Sequence, residues 1–170
     1  KVYEANITLF NAFEKSDFDK NGKYYLERFI SAHAIMLAFE GIPAVYFNSI
    51  FGTSNDNSKY IISGNKRDLN RYRWNKVRLE KSLKNKNSKQ TIYYKNMTNL
   101  LNVRKKQKAF HPDAAQTTLK LGPKIFAIKR ISIDKKQSIT CLTNVTSKKQ
   151  FVNLNINKTK FKNLLKDKLI

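Results

Sequence analysis

Residues 24–47 read YYLERFISAHAIMLAFEGIPAVYF, and this stretch decides the fold class. Its apolar side chains fall at Leu26, Phe29, Ile30, Ala34, Leu37 and Ala38. That is the period of an amphipathic helix, predicted over Tyr24–Phe39. His33 lies inside the helix and reads as a packing or hydrogen-bonding residue rather than a ligand. Gly41 should stop the helix, because a helix commonly ends on a glycine in the left-handed conformation. Ile42–Phe47, IPAVYF, is apolar without alternation, which is how a strand covered on both faces reads in a parallel sheet or barrel. A helix, a glycine and a buried strand in that order are an α/β signature.

Working toward the N-terminus, Ser16–Gly22 (SDFDKNG) is a polar turn. It resembles a calcium loop only superficially, because the acidic side chains stop at Asp19 and no bidentate Glu follows at the required distance. Residues 1–13 alternate weakly and read as a loop or short extended piece.

Toward the C-terminus, Asn48–Asn75 is a long polar stretch. It carries Gly52, Asn55, Asp56, Gly64, Asn65, Arg67, Asp68, Asn70 and Arg71. Its Arg, Asp and aromatic residues suit ligand contact better than a linker, and long loops are often functional. Ser82–Gln90 is a solvated connection. Thr91–Gln107 is a second predicted helix, with Ile92, Met97, Leu100, Leu101 and Val103 on one side. Ala109–Pro112 (AFHP) ends it, and His111 has neither a nearby Cys nor a second His to make a metal site.

The period then changes to two. Thr117–Leu121, Ile125–Ile131, Ser138–Val145 and Gln150–Ile156 read as strands of a small antiparallel sheet, separated by turns at Gly122-Pro123 and Asp134–Lys136. Residues 158–170 form a weakly amphipathic basic tail. The expected fold is therefore α/β then β, the end of a (β/α)8 TIM barrel followed by a small antiparallel β-sheet domain. Residues 1–108 fall to the barrel, 109–157 to the β domain and 158–170 to the tail.

The 170 residues are 41% hydrophobic, enough for a buried core and against a disordered chain. The net charge of +22 at pH 7 taken alone suggests nucleic acid or an anionic surface. Most of that charge is Lys scattered among Asn and Ile, whereas specific nucleic-acid readers lean on Arg, so a nucleic-acid partner is disfavoured. The single cysteine, Cys141, permits no intramolecular disulfide and reads as an inert buried thiol. That fits a reducing cytoplasm. The N-terminal residues show no secretory pattern, and no stretch approaches the length of a membrane helix, so no membrane partner is expected.

YEANITLFNAF (3–13), EGIPAVYF (40–47), GTSND (52–56), NKRDLNR (65–71) and VRKKQKAFHPDA (103–114), in this order and spacing, resemble the sucrose phosphorylases and their close relatives. These belong to family thirteen of the glycoside hydrolases, the alpha-amylase superfamily. The resemblance runs from Lys1 to about Asn155 and points to the C-terminal part of such an enzyme.

The resemblance implies a (β/α)8 barrel with a C-terminal antiparallel β domain. It implies glucosyl transfer from an alpha-glucoside such as sucrose to inorganic phosphate with retention, giving glucose 1-phosphate. Retention takes an Asp nucleophile and a Glu acid/base, with a second Asp stabilising the transition state. None of the three maps onto this chain, so no catalytic residue is assigned. Glu4, Asp56 and Asp68 are carboxylates but not those. The chain alone is expected to be inactive and to need the N-terminal part of the barrel. No cofactor and no metal are implied, and a homodimer is compatible with the reading.

By the same resemblance Tyr3, Glu4 and Asn6 match the loop after the seventh strand, on the acceptor side of the pocket. Arg67 matches an arginine associated with phosphate or acceptor. A guanidinium offers a rigid fork of donors to such anions. The competing account for Arg67 is a structural salt bridge to Asp68 or Glu80. Sucrose phosphorylases usually carry Gln where Glu4 stands. Gln can donate to a sugar hydroxyl, but an ionised Glu only accepts. Glucosylglycerate and glucosylglycerol therefore stand beside sucrose as substrates. From other classes come a non-catalytic basic nucleic-acid-binding protein and a carbohydrate-binding β domain, the latter weakened because Phe126 and Phe151 read as core.

Overall fold

In the computed structural model, residues 4–154 and 162–165 are described. The chain divides into two compact units, Lys1–Phe29 with Ala44–Thr98, and Ile30–Pro43 with Asn99–Ile170. The residues of helix α2 (Tyr25–Ala38) and of helix α6 (Lys89–Lys105) are divided between the two units.

The first unit is helical. It contains α1 (Leu9–Glu14), the start of α2, α3 (Phe47–Ile50), α4 (Asn57–Ser63), a 3-10 turn at Lys66–Asn70, α5 (Lys76–Lys84) and most of α6. Short polar side chains start several of these helices. Thr8, Asp56 and Asn75 accept from the backbone N–H groups of Asn11, Lys59 and Arg78, which α1, α4 and α5 would otherwise leave unpaired. Helix α1 thus takes residues 9–13 out of the loop or short extended piece expected there, while residues 4–8 are irregular as expected, and α5 is an element that apolar periodicity did not announce. The core is aromatic. Tyr93 meets Phe29 edge-on at 5.0 Å and Phe10 at 5.6 Å, and it stacks on Tyr25 at 6.4 Å. A second cluster stacks Phe51 on Tyr94 at 5.7 Å, beside Trp74. Gly52 has a φ of +57°, and a Cβ there would lie 2.5 Å from the Tyr93 ring, so the chain turns against the ring only because position 52 has no side chain.

Helix α2 matches its sequence signal to within a residue at each end. Phe29, Ile30, His33, Leu37 and Ala38 are buried on it. Its start is held by Asp19, whose carboxylate accepts from the backbone of Lys23 and Tyr24, each at 2.8 Å, and from Arg28 at 2.5 Å. The polar turn that superficially resembles a calcium loop uses its acidic group for this purpose.

The expected strand at Ile42–Phe47 is not formed. Residues 42–46 are irregular, Phe47 begins α3, and Ile42 is 86% exposed. A strand exists only through its neighbours, and no described residue offers this run a ladder. The barrel expected over 1–108 is accordingly not visible here; the described strands form one antiparallel sheet.

That sheet belongs to the second unit and has the order β1 (Ala115–Lys120), β2 (Ile125–Ile131), β3 (Ser138–Asn144). Thr118 pairs with Ile128 and Ile128 with Cys141. The fourth expected strand is absent over residues 150–154, where the chain is irregular, and its remainder lies outside the described residues. Lys158–Lys160 and most of the basic tail also lie outside them. Cys141 is half-buried, and burial pushes its thiol up to about 11, in keeping with an inert group.

Two arginines close the end of α2. Arg130 is buried in mid-strand and donates to the carbonyls of Ala38 (3.0 Å), His111 (2.9 Å) and Ala114 (3.1 Å). Arg104 donates to the carbonyls of Leu37, Phe39 and Gly41. The last carbonyls of a helix lack intrahelical partners and carry its negative end, so cationic donors satisfy both needs. Gly41 takes the left-handed conformation expected of it, with φ at +83°, and its N–H donates to Pro112.

Candidate functional site

The segments that suggested a binding site meet in the first unit. The N-terminal segment is tied to the GTSND loop by reciprocal amide bonds. The backbone N–H of Thr8 donates to Asn55 Oδ1, and that of Asn55 donates to Asn11 Oδ1, both at 2.7 Å. Lys89 lies under this loop, donating to Ser54 Oγ at 2.7 Å with its ammonium 3.6 Å from the centre of the Phe10 ring. Burial lowers the pKa of Lys89, with Glu14 opposing the shift.

The long polar stretch is folded, not open. Asp56 caps α4 with its side chain, and its N–H donates to the carbonyl of Leu69 at 2.7 Å, bringing the 3-10 turn back onto the helix start. Asn65 caps that turn by accepting from the N–H of Arg67 at 3.0 Å. Lys59 pairs with Asp68 at 2.5 Å, and this contact leads the lowering of the Asp68 pKa, with a hydrogen bond from Ser63 adding to it.

Arg67 is thereby aimed at the N-terminal segment. It donates to Glu4 Oε2 from Nε at 3.1 Å and from Nη2 at 2.9 Å. The salt bridge weighed in sequence against a binding role therefore exists, but with a different partner: Asp68 is engaged by Lys59. Of the four candidate residues, the structure brings Glu4 and Arg67 together. Asn6 lies two residues along the same segment, and its buried Oδ1 accepts no hydrogen bond from a described residue. Tyr3 lies outside the described residues. Among the described residues, no group of three or more His, Cys, Asp or Glu could hold a metal ion. Among them also, no helix is long and apolar enough to cross a membrane.

Sequence reasoning missed Asn11 and Lys59 as builders of this arrangement, and named Asn55 only as part of the polar stretch. The Asn and Asp residues that cap the helices carried a readable signal, since each stands just before a helical segment. The reciprocal bonds of Asn11 and Asn55 had none, because their partners lie 44 and 47 residues away.

No family model matches the chain. Curated relatives do. The chain is 34% identical over 150 residues to a glucosylglycerate phosphorylase of Allomeiothermus silvanus, a match spanning 88% of this chain and 26% of the relative. It is 30% identical over 152 residues to the glucosylglycerate phosphorylase of Escherichia coli, across 89% of this chain and 27% of that protein. A glucosylglycerate phosphorylase of Spirochaeta thermophila is 28% identical over 144 residues, or 85% and 24% of the two chains. The chain thus spans about a quarter of the length of the curated relatives it matches. All three carry the name of the alternative substrate, not of sucrose. Along nearly its whole length the chain is homologous to glucosylglycerate phosphorylases, which bears out the resemblance to the sucrose-phosphorylase-like group of glycoside hydrolase family thirteen.

Proposed function

We propose that the chain supplies acceptor-side recognition to a retaining phosphorylase that releases glucose 1-phosphate from glucosylglycerate. The observation that carries this reading is the Glu4–Arg67 pair. A bare carboxylate at position 4 would repel glycerate. Paired with Arg67, its charge is offset. Glu4 takes Nε and Nη2, while Nη1 has no hydrogen-bond partner among the described residues and remains free to donate to a carboxylate or phosphate. Asn6 Oδ1 offers an acceptor to a substrate hydroxyl, which would satisfy a buried oxygen. The names of three relatives favour glucosylglycerate over sucrose.

In this reading residues 1–108 complete a (β/α)8 barrel, with the nucleophile and the acid/base contributed by polypeptide outside this chain, and residues 109–157 form the β domain. The chain alone is inactive. Ile42–Phe47 becomes a barrel strand once its neighbours are present. Its exposed apolar side chains support this, as does the lack of hydrogen bonds from the backbone N–H groups of Ile42, Ala44 and Val45 to other described residues. Backbone amide exchange at 42–46 should be fast in this chain and slow in the longer protein; fast exchange in both would sink the strand assignment. The activity is tested by supplying the longer protein with glucosylglycerate or sucrose plus phosphate and following glucose 1-phosphate. Release from glucosylglycerate well above that from sucrose is expected. Release from neither would overturn the reading, and preference for sucrose would overturn the choice of substrate.

A further inference from the structure

In the second unit a groove of about 770 Å³ opens where the end of α6, the 3-10 turn at Lys108–Phe110 and the β2–β3 turn converge. Leu101, Phe110 and Ile133 give it apolar walls, and Lys105, Lys106 and Lys108 stand around them. Ile133 is 63% exposed at the tip of a tight turn, so its side chain adds little to the core. The turn itself is closed by polar bonds: Ser132 Oγ donates to Asp134 at 2.6 Å, and the N–H of Lys136 donates to the same oxygen at 3.1 Å.

The charge around the groove is one-sided. Asp134 is its one carboxylate, shared with Lys108 at 3.3 Å. Lys105 and Lys106 are exposed and have no carboxylate partner among the described residues. Arg104 is committed to the α2 carbonyls. Basic residues in the last turn of α6 complement the negative end of that helix, which accounts for Arg104 and Lys105. It does not account for Lys106 beyond the helix or for the exposed Ile133, and Lys108 keeps two of its three N–H donors beyond its pairing with Asp134.

The geometry points to this groove as a docking site for an acidic peptide segment of a partner protein, one that carries an apolar side chain between its carboxylates. The apolar residue would lie on Ile133 and Leu101, with its flanking carboxylates on Lys105, Lys106 and Lys108. Such a surface combines a small apolar anchor with a charged rim. A nucleic acid fits less well, because single strands bind by stacking on free aromatic faces. Phe110 is already engaged by cations, with Arg104 at 5.3 Å and Arg130 at 6.0 Å from its centre. A small anion would leave the apolar walls unused.

The test uses the full chain and a fluorescein-labelled peptide alternating Glu and Leu, with fluorescence anisotropy as the readout. Competitors are a Glu–Ser peptide of equal length and oligouridylate. Micromolar binding of the Glu–Leu peptide is expected, weakened about tenfold by Lys105→Glu with Lys106→Glu. Ile133→Ser should weaken it by about tenfold as well, through loss of apolar contact. No binding, equal competition by either competitor, or no effect of Ile133→Ser would overturn the assignment and leave diffuse attraction by a polycation. None of these residues belongs to the Glu4–Arg67 site. Arg67→Ala should leave the affinity unchanged, so this inference and the phosphorylase reading fail separately.

Discussion

Arg67 grips a single oxygen of Glu4, through Nε at 3.1 Å and Nη2 at 2.9 Å, across 63 residues of sequence. The pair is partly exposed, so little net stability follows from it. Its importance lies in what happens to the charge at position 4 when the arginine is removed.

On the proposed function, in a protein that includes the rest of the barrel, Arg67→Ala should raise KM for glucosylglycerate by roughly tenfold to a hundredfold, because an uncompensated carboxylate would then face an anionic substrate. Adding Glu4→Gln to that variant should recover part of the loss by removing the repulsion. The double-mutant cycle measures the coupling. Additive effects, with no recovery, would show that the pair does not act on substrate.

Gly52→Ala should lower stability by about 2 kcal/mol or more, since the new methyl meets the Tyr93 ring in a left-handed backbone conformation. Thermal melting of the chain checks this. Gly64→Ala, also at positive φ but with nothing within 4 Å of the added carbon, should cost less. Equal losses would mean that backbone conformation, not the ring, sets the penalty at position 52.

Arg130→Met keeps much of the volume but strips donors from three carbonyls, two of them in buried contacts. A loss of about 3 kcal/mol is expected in denaturant unfolding. Lys120→Met, at an exposed position of β1, should change stability little. A neutral Arg130→Met would mean that those carbonyls find other partners.

Asp19 responds to acid. The backbone N–H of Tyr24, the Arg28 guanidinium and the N–H of Lys23 hold its pKa down to about 2, from an ordinary 3.8. A carboxyl with a depressed folded-state pKa contributes stability that is fully present above the unfolded value and is lost as pH falls through the folded one. Asp19→Asn should therefore be less stable than the parent at pH 6, with the difference shrinking between about pH 4 and pH 2. A difference that stays constant over that range would locate the effect in geometry, not charge.

Helix α2 was legible because its period is local: Phe29, Ile30, Leu37 and Ala38 mark the buried face without reference to anything distant. The three-strand sheet was legible for the same reason, since its strands are consecutive and joined by recognisable turns. Ile42–Phe47 misled because an apolar run reports what it wants to be covered by, not whether the cover is present. Helices α4 and α5 were missed because they bury nothing, leaving only the caps at Asp56 and Asn75 to betray them. Glu4 and Arg67 could be named singly by resemblance. Their meeting depends on Asn55, Asp56 and Lys59 folding the intervening loop, and no spacing encodes that.

The arginine bonds at the end of α2 set how the chain should respond to its ionic surroundings. Its surface carries a large surplus of like charge, whose mutual repulsion weakens as counter-ions accumulate. The ties from Arg104 and Arg130 join cations to peptide carbonyls, and those of Arg130 are sheltered from solvent, so the same counter-ions hardly reach them. Moderate salt therefore relieves the strain of the exterior while leaving the internal bracing intact, and brine is a friendlier medium for this polycation than pure water.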